Sequence, residues 1–391
     1  MTSSADRQTA ASDKIGQVVD FNVHDLVGIR LVNPSRSDAH IVERHLGLAP
    51  AGFPGSPSLT ISFVDRLSVD QPLRFLGRDD VAFTDDAFIV LRSRNLARAR
   101  TRLAMEQIGD TCELTCETGL PAIPLLRQLL NLIMLARGVV PVHAAAFCHQ
   151  GRGVLVTGWS HGSKTGTLLA FMAAGAKFVG DEWIYLGHDR MYGLPDQLEA
   201  RPWYLDELPK YRRRVGLSDR VRTGLTAGLA RLTGPLVAPS ERRNSLGNKL
   251  IRHAHQALLD QQSIHLKPLS LFGADNCLLA SPLDVVIVAV SHAAEDVLIK
   301  PAEIEQVAGR MAASFVHEQA SLMSCYHKHL FAFPDRRNPL LDRIEHLYRE
   351  RAVAALEGKP SYAMLHPYPA SIGALQEAVE PLLHRERSSV S

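Results

Sequence analysis

Apolar positions in the first third of the chain recur mostly at every second residue, the period of a strand with one buried face. Leu59-Thr-Ile-Ser-Phe-Val64 alternates in this way, and Val81-Ala-Phe83 meets Ala87-Phe-Ile-Val-Leu91 across Thr84-Asp-Asp86, which predicts a hairpin. Arg100–Ile108 and Thr111–Thr118 predict a second strand pair, with one helix expected near Asp38–Leu46. The period then lengthens. Leu126, Leu129, Leu130 and Ile133 fall on one helical face within Ile123–Arg137, and Gly138 ends that helix.

Beyond Val139 short strand patterns alternate with helical ones. Val139–Cys148 reads as a strand, and Gln150-Gly151 as a tight turn into the buried run Val154-Leu-Val156. That run breaks at Gly158, passes through a Gly/Ser turn and continues as a helix from about Lys164. A strand at Lys177-Phe-Val179 ends in Gly180-Asp181-Glu182 and is followed by Trp183-Ile-Tyr-Leu186, with a hairpin turn over Gly187–Gly193. Val285–Val290 reads as a buried strand of the same sheet. Pro301–Phe315, Leu340–Ala355 and Ser371–Leu383 read as helices, and Tyr362–Pro369 as extended. The expected fold is α/β (α+β) with a mixed sheet. Residues 1–120 would form a β-rich N-terminal module and residues 121–391 a second domain with a basic insertion at about 201–260.

Composition narrows this only at a few points. At 391 residues either one large domain or two can bury a core. A net charge of +2 argues neither for nor against an anionic partner. The basic 201–254 stretch, with Arg212-Arg-Arg214, Arg220, Arg222, Arg231, Arg242-Arg243 and Arg252, reads as a solvated surface or as a lid presenting Arg to an anion. No motif or interleaved aromatics accompany the charge, so nucleic acid is not an expected partner. The five cysteines are odd in number and sit in apolar contexts; with no signal-peptide pattern they predict a reducing cytoplasm. Cys112 and Cys116 lack a matching ligand pair and read as buried thiols. Cys325-Tyr-His327-Lys-His329 would share a metal-binding face only if extended. Asp79-Asp80 and Asp85-Asp86 read as turn residues. No apolar run reaches membrane-spanning length.

The candidate chemistry lies at Gly158-Trp159-Ser160-His161-Gly162-Ser163-Lys164-Thr165-Gly166. Strand, Gly-rich turn and helix, in that order, build a cradle of N–H donors at the positive end of a helix dipole. Lys164 adds a full charge for phosphate, and the Thr165 hydroxyl is placed to ligate Mg²⁺. Ser163 stands where the pattern G-x-x-x-x-G-K-[ST] has its second Gly. It is unstrained there only at negative φ, and a left-handed conformation would cost about 1–2 kcal/mol. Asp181 and Glu182, at a strand end, complete what a Mg-nucleotide site needs. Both can serve only if the strand ends or twists there, because adjacent strand residues face opposite ways. His143 lies on the preceding strand.

Residues 139–190 resemble the HPr kinase/phosphorylase family, whose fold is shared with phosphoenolpyruvate carboxykinases. The resemblance rests on Val142-His143-Ala144, on Gly158, Ser160, Lys164 and Thr165, and on Asp181-Glu182; Gly180-Asp181-Glu182 also echoes the carboxykinases. The first 120 residues do not share it. The resemblance implies a mixed-sheet P-loop kinase core that uses ATP and Mg²⁺ to phosphorylate a hydroxyl of a peptide or protein serine, or of a small molecule. Relatives are often homo-oligomers. It implies Asp181 as base, Thr165 and Glu182 (or Asp181) on Mg²⁺, and His143 and Lys164 as catalytic partners, with the two acids exchangeable. Ser163 and His161, where the family has Gly, leave open a non-catalytic nucleotide-binding regulator. A carboxykinase-type activity is the other alternative.

Overall fold

A computed structural model describes residues 18–76, 81–92, 98–160, 162–216, 219, 222–223, 225–226 and 263–384. His161, Asp79-Asp80 and most of the basic 201–254 stretch lie outside the described residues. The architecture is mixed α/β with mixed sheets.

The period-two segments of the first third form one sheet. Its strands are β1 (Val18–Val23), β2 (Val27–Val32), β3 (Leu59–Val64), β4 (Arg74–Phe75), β5 (Val81–Phe83), β6 (Ala87–Arg92), β7 (Arg98–Ala104) and β8 (Cys112–Glu117). They lie in the order β1-β2-β3-β8-β7-β6-β5-β4. The expected hairpin is the antiparallel β5/β6 pair, and the second expected pair is β7/β8. Helix α1 (Arg36–Leu46) starts in a capping box. The Ser35 hydroxyl accepts from the Asp38 amide, and the wholly buried Asp38 carboxylate also takes the Gly119 amide at 3.0 Å. Cys112 and Cys116 are free and buried, each thiol pushed up to about 12 by desolvation, as inert thiols should be.

Helix α2 (Leu126–Ala136) leads into the second sheet, built around β9 (Val140–His149) and β10 (Arg152–Gly158). Helix α3 (Lys164–Ala173) follows β10, and then come β11 (Lys177–Gly180), β12 (Trp183–Leu186), β13 (Arg190–Gly193) and β14 (Leu198–Ala200). Short helices α4 (Pro202–Asp206) and α5 (Pro209–Arg212) precede β15 (Ile264–Leu266) and α6 (Pro268–Phe272). The remaining strands are β16 (Ala280–Pro282), β17 (Val285–Ser291), β18 (Leu298–Pro301) and β19 (Ser361–His366). Between β18 and β19 run α7 (Ile304–Glu318), α8 (Ala320–Ala332), α9 (Pro339–Asp342) and α10 (Ile344–Leu356), and α11 (Ile372–Leu383) closes the chain.

The sheet order is β16-β13-β12-β9-β10-β17-β19-β18, with β11 also on β9. Strands β10, β17 and β19 are mutually parallel, so their carboxyl ends (Gly158, Ser291, His366) share one edge. The expected single helix over Leu340–Ala355 is interrupted at Arg343, where the backbone leaves helical values; Asn338 caps the first piece. Cys325, His327 and His329 lie on helix α8, where i and i+2 diverge. The buried His329 Nε2 meets the Thr84 carbonyl at 3.1 Å instead. Among the described residues no helix is long and apolar enough to cross a membrane.

The change of sheet near residue 120 is not a change of core. One apolar cluster runs from Phe21, Leu31 and Phe88 through Leu129 and Leu132 to Tyr185, Phe315 and Tyr348. Asn338 Nδ2 reaches back to the carbonyls of Met105 (3.0 Å) and Ile108 (2.9 Å). The buried Arg127–Asp196 pair, at 2.7 Å, fastens α2 to the segment after β13, and Arg127 also donates to the His45 carbonyl. A second cluster, under α3, holds Phe147, Phe171, Phe178, Ile287 and Leu375.

Burial, with the Arg127 and Arg44 charges adding to it, lowers the His45 pKa to about 4. The folded chain therefore keeps His45 neutral where the unfolded chain binds a proton. Its stability contribution is complete above about pH 6.5 and is lost as pH falls toward 4. Between pH 7 and pH 5 the loss should be at most about 2 kcal/mol. Urea unfolding of wild type and His45→Gln at both pH values checks it: the variant should lose correspondingly less stability, and equal pH slopes would count against this assignment.

Candidate active site

Strand β10 is buried on both faces and must leave the sheet abruptly at Gly158. A Cβ on Gly158 would lie 2.5 Å from the Ala289 carbonyl of the parallel neighbour β17, so only glycine lets the two backbones meet. In the turn that follows, the Trp159 carbonyl accepts from the Gly162 amide (3.1 Å) and from the Lys164 ammonium (2.9 Å). Lys164 and Thr165 open helix α3, so the N–H groups of its first turn and the positive dipole end lie beside them.

Ser163 takes the conformation that the sequence pattern reserves for glycine, φ 60° and ψ 17°. The unstrained placement at negative φ does not occur, because the chain has to reverse into α3 at this residue. Its hydroxyl and carbonyl are both engaged. The hydroxyl accepts from Tyr204 Oη at 3.2 Å and lies 3.5 Å from His366 Nδ1, and the carbonyl takes the Thr167 amide and hydroxyl. These bonds offset the left-handed cost of about 1–2 kcal/mol. Gly166 makes room for that network, since a Cβ there would sit 2.7–2.8 Å from Tyr204 ring atoms and 2.9 Å from its hydroxyl. Gly166→Ala should displace Tyr204 and lower stability by about 1–3 kcal/mol. An unchanged denaturation midpoint would mean that the ring gives way freely.

Asp181 and Glu182 fall where β11 hands over to β12 along the same side of β9. Glu182 is left-handed, at φ 66°, which breaks the strand and lets both carboxylates turn toward α3 and β9. The two then part company. Asp181 is 1% exposed and accepts the Thr165 hydroxyl at 3.0 Å. Burial and then the Glu182 charge push its carboxyl well above the usual range. The Glu182 side chain stays 38% exposed and faces the cleft, 3.4 Å from His143 Nε2. Burial alone would raise its carboxyl, but His143 and Lys164 outweigh that and hold it below the usual range.

His143 sits between two carboxylates, with Glu318 Oε1 of α7 at 3.2 Å from its Nδ1 and Trp183 stacked on the ring at 5.8 Å. Burial would lower its pKa, but Glu182 and Glu318 reverse the sign and raise it. Lys164 is buried, and desolvation depresses its pKa against the pull of Glu182, Asp181 and Glu318. Among the described residues no three His, Cys, Asp or Glu side chains form a metal-binding cluster.

The predicted residues His143, Ser160, Gly162, Ser163, Lys164, Thr165, Gly166 and Glu182 line one cleft of about 520 Å³ of free space, open to solvent. Gly158 and Trp159 lie on the far side of the turn, and Asp181 lies behind Thr165. Glu199, Arg201, Tyr204 and Tyr368 complete the lining and were not singled out in the sequence. The signal for the first pair was present, since Glu199 and Arg201 flank a buried alanine at strand spacing just before the basic stretch. Tyr368 and Glu318 carried none, because only tertiary packing brings them here. No protein-family model matches the chain, and no curated protein matches it.

Proposed function

We propose that this chain is an ATP-dependent phosphotransferase that moves the γ-phosphoryl group to a hydroxyl of a peptide, a protein or a small molecule. Its core would be of the HPr kinase/phosphoenolpyruvate carboxykinase type. The observation that carries the reading is the convergence of Lys164, Thr165, Glu182 and His143 on one cleft at the start of a helix that follows a glycine-bearing turn. Strand β9, the start of helix α3 and the break between β11 and β12 supply them.

In this reading the α3 N–H groups and Lys164 hold the β- and γ-phosphates. The hydroxyl oxygen bonds to the γ-phosphorus as the bridging oxygen departs with ADP, and the hydroxyl proton passes to a carboxylate. Glu182 suits that last role better than Asp181, because His143 and Lys164 favour its charged form, it faces the cleft and it is oriented by His143, whereas Asp181 is sealed behind Thr165. The roles implied by the family resemblance are thus exchanged. Thr165 and Glu182 in the cleft, with Asp181 behind Thr165, supply oxygen donors of the kind Mg²⁺ takes, and a cation held there would relieve the repulsion between the two acids. Bound Mg²⁺ would neutralise charge on the phosphate oxygens.

One observation favours a second reading, a nucleotide-binding regulator. Lys164 and Thr165 are both satisfied internally, by the Trp159 carbonyl and by Asp181. Titration calorimetry with MgATP, paired with ATP turnover in the presence and absence of cell extract, separates the two. Binding with extract-dependent turnover supports the kinase, and binding without turnover under any condition supports the regulator. Phosphoenolpyruvate formation would reveal a carboxykinase, and absence of binding would end the nucleotide reading.

A further inference from the structure

The turn has a second side. Behind it, between the carboxyl ends of the parallel strands β10 and β17 and the flank of α7, lies a partly enclosed pocket of about 900 Å³ of free space. The edge shared by parallel strand ends is where open α/β sheets take ligands. Its lining includes Val290 and Met311, with Trp159 and Arg310 beside them and no carboxylate. Trp159 is 52% exposed, its ring 4.7 Å from that of His317 on α7. Arg310 is exposed, with no hydrogen-bond or ion-pair partner among the described residues.

We infer that this pocket holds the nucleoside half of the nucleotide whose phosphates lie on the turn. The inference rests on the phosphotransferase reading and extends it to where the base and ribose sit. Two observations select this occupant. Ser160 and Gly162 line both the cleft and the pocket, so one ligand can cross the turn between them. The acceptor has to reach Glu182 and His143, which line the cleft and not the pocket. What enters the pocket is therefore tethered through the phosphates. An apolar floor, an indole and a guanidinium with no partner among the described residues suit a planar, electron-rich ring.

The test compares ADP with inorganic tripolyphosphate, by calorimetry, on wild type, Ala313→Trp and Arg310→Ala. Ala313 is an exposed position of α7 that lines the pocket, so an indole there fills the space without entering the core. Ala313→Trp is expected to weaken ADP at least tenfold and Arg310→Ala about three- to tenfold, with tripolyphosphate binding unchanged in both. Unchanged ADP affinity in both variants overturns the inference. If Ala313→Trp loses both ligands, the turn has been disturbed and Arg310→Ala decides: selective loss of ADP supports the pocket, and no change rejects it. If wild type binds neither ligand, the phosphate reading of the turn fails and takes this inference with it. If wild type binds tripolyphosphate as tightly as ADP, the phosphate reading stands and the nucleoside pocket falls.

Discussion

Replacing Lys164 with alanine should weaken MgATP binding by about one to two orders of magnitude, the scale of one charge-assisted contact to phosphate. The ammonium is buried at the mouth of α3 and borrows the Trp159 carbonyl as its partner, so a phosphate oxygen need only displace one neutral acceptor. The same substitution removes the cation that faces Asp181, Glu182 and Glu318. Folding must therefore be checked alongside binding. Lys164→Met, which keeps the aliphatic stem, should fold closer to wild type and bind just as poorly. Calorimetry on both variants, with thermal unfolding as control, makes the measurement. Wild-type affinity in a folded Lys164→Met protein would remove the ammonium from the site's chemistry.

The second large effect is expected at Glu182. Glu182→Gln should leave nucleotide affinity within a few-fold of wild type while turnover falls by about 10²–10⁴-fold, the usual worth of a positioned general base. Asp181→Asn should behave differently. It keeps the Thr165 contact as a neutral group and should act mainly through the metal requirement, shifting the Mg²⁺ concentration needed for half-maximal turnover. The two variants decide the assignment. If Asp181→Asn abolishes turnover at saturating Mg²⁺ and Glu182→Gln does not, the order implied by the family resemblance is right and the cleft-facing argument is wrong.

The difference between these two neighbouring acids shows where sequence reading stopped. That one of them had to sit at a strand break followed from strand alternation, and the break is real, at the left-handed Glu182. Which one faces the cleft depends on Thr165 and His143, which approach from α3 and β9. Ser163 makes the same point. Its departure from glycine was visible as strain, but the compensating Tyr204 hydroxyl comes from a helix 41 residues away. The boundary near residue 120 was also legible as a change from one strand system to the next. Its meaning was not, because side chains from both sheets share a single apolar cluster.

The short strands β14, β15, β16 and β18 were not legible, but the sequence by itself determined the longer strands, the main helices and the strand–turn–helix centred on Gly158 to Thr165. These follow from hydrophobic period, glycine and helix-start chemistry, all of which act over a few residues. Only the tertiary structure decided that Glu199, Arg201, Tyr204, Tyr368 and Glu318 join that turn, that Asp181 is sealed and Glu182 open, and that a second pocket lies behind Trp159. Such choices depend on which strands pair and which helices cover them. That is set by burial summed over the whole chain, and no local pattern encodes it.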